Sequence, residues 1–167
     1  MLSNATIDKI RFEVSQIDEL FEAYSELLAS NLEETPDLIH KTALASFLHS
    51  FYNGVENIFE VIAKDVNFNF QEESRWHQAL LKFMSTPKSD GKSFISLETF
   101  EQLNQYLAFR HFYRHSYSFH IDWSKLRVLI FPINDLWKKL KMEIMVILDV
   151  GISTKNFKFD RDEANER

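Results

Sequence analysis

The 167-residue sequence contains no cysteine, so neither disulfides nor thiolate metal sites hold the fold or serve chemistry. It contains only three glycines and three prolines, whereas strong helix formers are abundant. A composition so poor in turn residues argues against a protein of short strands and predicts an all-α fold. Because 45% of the residues are apolar, the chain can build the core of one domain of ordinary size.

The sequence also lacks an uncharged apolar run of the roughly 20 residues that span a bilayer, and residues 1–11 lack the pattern of a secretory signal. We therefore expect no membrane association and a cytoplasmic location. The net charge of −6 opposes nucleic-acid binding, but it is unevenly distributed. Residues 110–141 carry +5 and the remainder carries −11. A basic groove and an ordinary solvated helix surface both fit this pattern.

Apolar residues recur at three- and four-residue steps and predict an antiparallel bundle of about five helices. Asn4 or Thr6, Thr35 and Ser96 are the predicted caps, and Pro132 is predicted to kink the last helix. The broad apolar stripe of the second helix predicts a central position. The predicted helices cover residues 4–28, 35–63 and 74–84, a segment from 96 that carries the cluster described below, and 122–150. We assign residues 1–150 to a single domain and residues 151–167 to a polar, flexible tail.

The most unusual segment is residues 110–117, which contains two arginines, two histidines and two tyrosines. Arginine binds phosphate oxygens with a planar charged fork, and histidine exchanges a proton near neutral pH. Such groups can cleave RNA without a metal. On a regular helix Arg110 and His115 lie about 140° apart. We therefore expect either that the helix ends or distorts near His115, or that both side chains reach a groove shared with a neighbouring helix or a second subunit.

Two alternatives for this cluster follow from the residues alone. Basic side chains favour helix C-termini, so the cluster can simply cap the helix and pair with carboxylates. Zinc ligation is the second alternative, with four candidate ligands: His111, His115, His120 and Asp122. We interpret the remaining histidines as ordinary surface or core residues: His40, His49 and His77.

The spacing of Arg110, His115 and Tyr117 resembles the R-x4-H-x-Y signature of HEPN-domain ribonuclease toxins of the HepT-like group. Residues 47–59 are similar to the second helix of that family, and the order of elements over residues 35–148 matches it. His111 departs from the family pattern, because many relatives have a polar residue such as asparagine after the motif arginine.

This resemblance implies a homodimeric HEPN-like up-and-down bundle that cleaves RNA without a metal or another cofactor. Arg110 would bind the phosphate, His115 would transfer protons, and Tyr117 would orient the substrate or stack on it. Glu56 would orient Arg110 through a carboxylate–guanidinium pair. Two more basic residues would contribute to RNA binding: His111 and Arg114.

The resemblance also implies a partner, a nucleotidyltransferase (MNT-type) antitoxin that transfers AMP to Tyr117. The added negative charge beside Arg110 and His115 would repel RNA. Tight binding of the antitoxin alone is the other possible mechanism. The rival interpretation of the whole chain is a non-catalytic HEPN-type module that binds nucleotide or a partner protein, in which the cluster only recognises phosphate.

Overall fold

The computed structural model describes residues 2–30, 32–69, 75–117 and 120–153. These residues form seven α-helices and no strand, which confirms the predicted all-α bundle. None of the helices in these ranges is long and apolar enough to cross a membrane. The helices are α1 (Asn4–Ala23), α2 (Ser25–Ala29), α3 (Leu38–Asp65), α4 (Trp76–Ser85), α5 (Leu97–His115), α6 (Trp123–Ile130) and α7 (Ile133–Ser153).

The count exceeds five because two predicted helices are each divided once. At Tyr24 the backbone leaves the helical region (φ −102°, ψ 7°), which separates α1 from α2. Its N–H still bonds to the Leu20 carbonyl and its carbonyl accepts from Leu28 N–H, so this is a local distortion. Pro132 separates α6 from α7, because proline has no N–H to donate to the preceding turn.

The caps of α1 and α5 show how short side chains set where helices begin. Ser3, rather than Asn4 or Thr6, caps α1, and its hydroxyl oxygen accepts from Thr6 N–H at 3.2 Å. The extended backbone of Ser3 places this oxygen over the first turn. The predicted cap of α5 is correct, since Ser96 accepts from Thr99 N–H at 3.2 Å.

Helix α3 is the central element of the bundle. It contributes twelve buried residues and packs against α1, α4, α5 and α6, so the predicted central position is correct. Its cap is Asp37 and not Thr35, because the Asp37 carboxylate accepts from His40 N–H and is favoured by the helix dipole. Helix α1 approaches α3 closely at Gly54, where a Cβ atom would lie 2.8 Å from the Ile17 side chain.

Contacts at both ends show that α1 and α3 are antiparallel. Near the start of α1, Thr6 donates a hydrogen bond to Asp65 at the end of α3, at 2.6 Å. Near the end of α1, the Phe21 ring packs edge-on against Phe47 early in α3, with ring centroids 5.1 Å apart. This pairing leaves other faces of α3 for the helices that carry the polar site.

Two of the predicted segments, the third helix and the C-terminal tail, extend in part beyond the residues that the structure describes. The third helix, predicted over residues 74–84, is α4, and residues 70–74 lie outside the described part. Helix α7 continues through Ser153, three residues beyond the predicted domain limit at 150. The remainder of the predicted tail, residues 154–167, lies outside the described residues, so the division into domain and tail stays a prediction.

Candidate active site

A polar stripe interrupts the apolar surface of α3. His49, Asn53 and Glu56 are spaced four and three residues apart, which places them on one face of the helix. Glu56 is 4% exposed and is the one carboxylate classed as buried in the described ranges. Because burying a charge without partners is costly, this residue requires compensating groups nearby.

Arg110 of α5 supplies the principal compensation. Its Nη2 lies 3.1 Å from Oε1 of Glu56, and its Nε donates to Oδ1 of Asn53 at 2.9 Å. Its Nη1 lies 3.4 Å from Nε2 of His77. Arg110 therefore forms hydrogen bonds with Asn53 and His77 and an ion pair with Glu56. The Arg110 side chain is only 13% exposed, and three side chains fix its orientation.

His77 of α4 connects the carboxylate to the guanidinium. Its Nδ1 lies 2.7 Å from Oε2 of Glu56, while its Nε2 faces an N–H of Arg110. Because Nε2 must accept in this arrangement, the geometry indicates an imidazole that carries its proton on Nδ1. The Trp76 ring lies against His77, with centroids 3.5 Å apart, and limits how the imidazole can turn.

The surroundings of this network change the acidity of its members. Burial raises the pKa of Glu56 above that of an exposed glutamate, and the nearby charge of Arg110 and the His77 ring only partly oppose this. The pKa of His49 is lowered, first by burial and then by Arg110 and Arg114. Asn53 donates to Nε2 of His49 at 3.1 Å, which places the proton of a neutral imidazole on Nδ1. The site therefore favours an uncharged His49 beside a charged Arg110.

His115 is in a different environment, although it belongs to the same helix. It is the last residue of α5 and is exposed, and its ring centroid lies 4.9 Å from that of His111. Between the described side chains no hydrogen bond joins His115 to Arg110. The helix does end at His115, as one of our two explanations required, but this ending does not bring the two side chains together.

The other predicted residues lie around these two. Tyr117 follows α5 with 73% of its surface exposed, and its carbonyl accepts from His120 N–H at 3.0 Å. Arg114 is exposed near His49. No group of three or more histidine, aspartate or glutamate side chains suited to a metal occurs within the described ranges, so the four proposed zinc ligands are not gathered there.

Sequence reasoning missed three members of the network. His49 and His77 were interpreted as ordinary histidines, and Asn53 was not singled out, whereas all three belong to the Arg110 network. The polar stripe of α3 was a usable signal, because polar residues spaced like a buried helix face require partners. No comparable signal marks His77. His40 is exposed at the start of α3, as expected of a surface residue.

Comparison with known proteins identifies the family of this chain. Residues 43–150 match a family model described as HepT-like protein. The matched range includes all but the first five residues of α3, all of α4 to α6 and most of α7. It therefore includes every residue of the Arg110 network. No curated protein and no solved structure matches the chain.

Proposed function

Because this chain belongs to the HepT-like family of HEPN proteins, we propose that it is a metal-independent RNA endonuclease, the toxin of a cytoplasmic toxin–antitoxin pair. The family is one of HEPN-type toxins, and we propose further that this chain itself cleaves RNA. The observation that carries it is the fixed position of Arg110. A permanently charged guanidinium that three side chains already orient is suited to a phosphate group that gains charge in a transition state.

The proposed reaction uses the 2′-hydroxyl of RNA as the nucleophile. The 2′-oxygen attacks the adjacent phosphorus, the bond from phosphorus to the 5′-oxygen breaks, and the products are a 2′,3′-cyclic phosphate and a 5′-hydroxyl. His115 accepts the proton of the 2′-hydroxyl or supplies the proton to the departing 5′-oxygen, since an imidazole can do either near neutral pH. Arg110 binds the phosphate oxygens, with Arg114 and His111 contributing to RNA binding.

A homodimer would complete this site. Arg110 faces α3 and α4, whereas His115 is exposed at the end of α5 without a bond to Arg110. A second copy that packs against the end of α5 can bring an exposed His115 to an Arg110 across the interface. This arrangement resolves the angular separation of the two residues without a distortion of α5.

The proposed antitoxin is a nucleotidyltransferase that transfers AMP to the Tyr117 hydroxyl. The exposure of Tyr117, two residues after His115, makes it accessible to such an enzyme. The added phosphate would occupy the cationic site and repel the RNA backbone.

The test is an incubation of the purified chain, with its mass checked for adducts, with a mixed RNA pool in EDTA. We expect cleavage to cyclic-phosphate ends by the wild type and by H40A, whose histidine is exposed outside the motif, and a loss of at least about a hundredfold in H115A. Production together with the cognate nucleotidyltransferase should add AMP mass to the wild type but not to Y117F, and should stop cleavage.

Absence of cleavage by the unmodified wild type would contradict the nuclease proposal and favour the non-catalytic nucleotide- or protein-binding module. The observation that favours this second candidate is that, among the described side chains, no hydrogen bond joins Arg110 to His115, because recognition of phosphate by Arg110 does not require a proton-transfer residue beside it.

A further inference from the structure

A cleft of about 590 Å³ lies between α4 and α5, and Arg110 and His77 form part of its wall. On α5 the lining residues Asn104, Ala108 and His111 are spaced four and three residues apart, so one stripe of that helix faces the cleft. The volume falls within the range of about 300–1,000 Å³ that is typical of small-molecule sites. The cleft is therefore large enough for a ligand and adjoins the oriented guanidinium.

The charge of the cleft contrasts with that of the chain. None of the eight described residues that line it is acidic, although the net charge of the chain is −6. Exposed Arg75 adds a second positive charge to that of Arg110, and the exposed imidazole of His111 can donate a hydrogen bond. Glu56, which pairs with Arg110, does not line the cleft. The cleft is thus suited to an anion.

The cleft also has features that a phosphate alone would not use. The exposed carboxamides of Gln78 and Asn104 line it from α4 and α5 respectively, and each can both donate and accept a hydrogen bond. Leu107 and Ala108 supply an apolar part of the wall. A nucleobase has the complementary properties, namely a donor–acceptor edge and an apolar face.

We propose that this cleft binds one nucleotide, with Gln78 and Asn104 hydrogen-bonded to the edge of the base and with Arg75 and His111 bound to phosphate oxygens. The identification of that nucleotide as a unit of the RNA substrate rests on the proposed function. In that context the cleft holds a base next to the phosphate bound by Arg110, and its carboxamides determine which base is accepted.

The first experiment measures binding without cleavage. A ribonucleoside 5′-monophosphate has no internucleotide bond, so the wild-type chain can be titrated with the four common monophosphates while the side-chain amide signals are followed by NMR. We expect saturable shifts of the Gln78 and Asn104 amide signals. N104A and Q78A should each weaken binding of the preferred monophosphate by roughly tenfold, because each loses hydrogen bonds to the base. Q105A is the matched control, since Gln105 is an exposed amide that lines a different groove on α5.

Two results would overturn the proposal. One is wild-type affinity in both N104A and Q78A. The other is equal affinity for inorganic phosphate and for the monophosphates, which would show that no base is recognised.

The second experiment separates this proposal from the nuclease proposal. If the chain cleaves RNA, N104A should change the base preference at the cleaved position. An unchanged preference would show that the cleft does not bind a base of the RNA substrate. If the chain binds monophosphates as described but does not cleave RNA, the nuclease proposal fails and the nucleotide site stands.

Discussion

Arg110 and His115, which begin and end the part of the motif that lies in α5, differ in the residues that they contact. Arg110 is 13% exposed and contacts three side chains from α3 and α4. His115, five residues later, is exposed, and within the described residues its ring contact is to His111 of the same helix. The fold of one chain therefore fixes Arg110, the proposed phosphate-binding group. The position of His115, the proposed proton-transfer group, would instead depend on what packs against the end of α5.

This difference has an energetic basis. The carboxylate of Glu56 is buried. Removal of its partners would leave a buried charge without compensation, which lowers the free energy of unfolding. No such cost attaches to an exposed imidazole, which water solvates whether or not it has a partner. We therefore expect mutation of Arg110 to lower the free energy of unfolding, and mutation of His115 to leave it unchanged while lowering the proposed activity.

The largest expected effect is that of R110A. It leaves the Glu56 carboxylate without its cation and Asn53 without a donor, so we expect the free energy of unfolding to fall by about 3–5 kcal/mol. Urea denaturation followed by circular dichroism measures this change. In H115A the free energy of unfolding should stay within about 0.5 kcal/mol of wild type. Equal losses in the two variants would remove the distinction between the ends.

The next largest effect concerns His77. H77A removes a 2.7 Å hydrogen bond to the Glu56 carboxylate, and bonds to charged groups contribute about 1.5–3 kcal/mol. The matched variant is H111A, because His111 lines the same cleft but is exposed and has no bond to Glu56. Its unfolding curve should overlay that of the wild type. A loss in H111A as large as in H77A would mean that the cleft as a whole, rather than the Glu56 network, determines stability.

The sequence was sufficient for the parts of the site that lie along single helices. Apolar spacing identified α3 as the central helix, and Ser96 was correctly identified as the start of α5. The family resemblance then pointed to Glu56 as a partner of Arg110, and the two lie 3.1 Å apart. The first two inferences need only the helical period and the chemistry of a helix cap, whereas the pairing of Glu56 with Arg110 across α3 and α5 was expected only from the family resemblance.

The sequence was insufficient to predict contacts between helices that are joined by a segment without helical periodicity, such as α3 and α4. His77 follows Glu56 by 21 residues, and the sequence of the intervening segment 66–71 has no helical period from which the direction of α4 relative to α3 could be predicted. The helical period shows on which face of its helix a residue lies, but it does not show which other helix packs against that face.

The smallest expected effect is a pH dependence from His49. Its folded-state pKa lies below the ordinary value of 6.5, because burial, Arg110 and Arg114 all disfavour the imidazolium. The unfolded chain therefore binds this proton first as the pH falls. The stability associated with a neutral His49 is fully present above pH 6.5 and is lost as the pH falls from 6.5 toward the lowered pKa, with a slope of at most about 1.4 kcal/mol per pH unit.

Unfolding free energies measured at intervals between about pH 5 and 7 test this sign, since H49Q should lose less stability on acidification than the wild type. R114A should weaken the dependence, because it removes one of the charges that lower the His49 pKa. H40Q is the control, an exposed histidine that makes no contact with the Arg110 network. If the free energy of unfolding depends on pH identically in wild type and H49Q, protonation of His49 does not destabilise the network around Arg110.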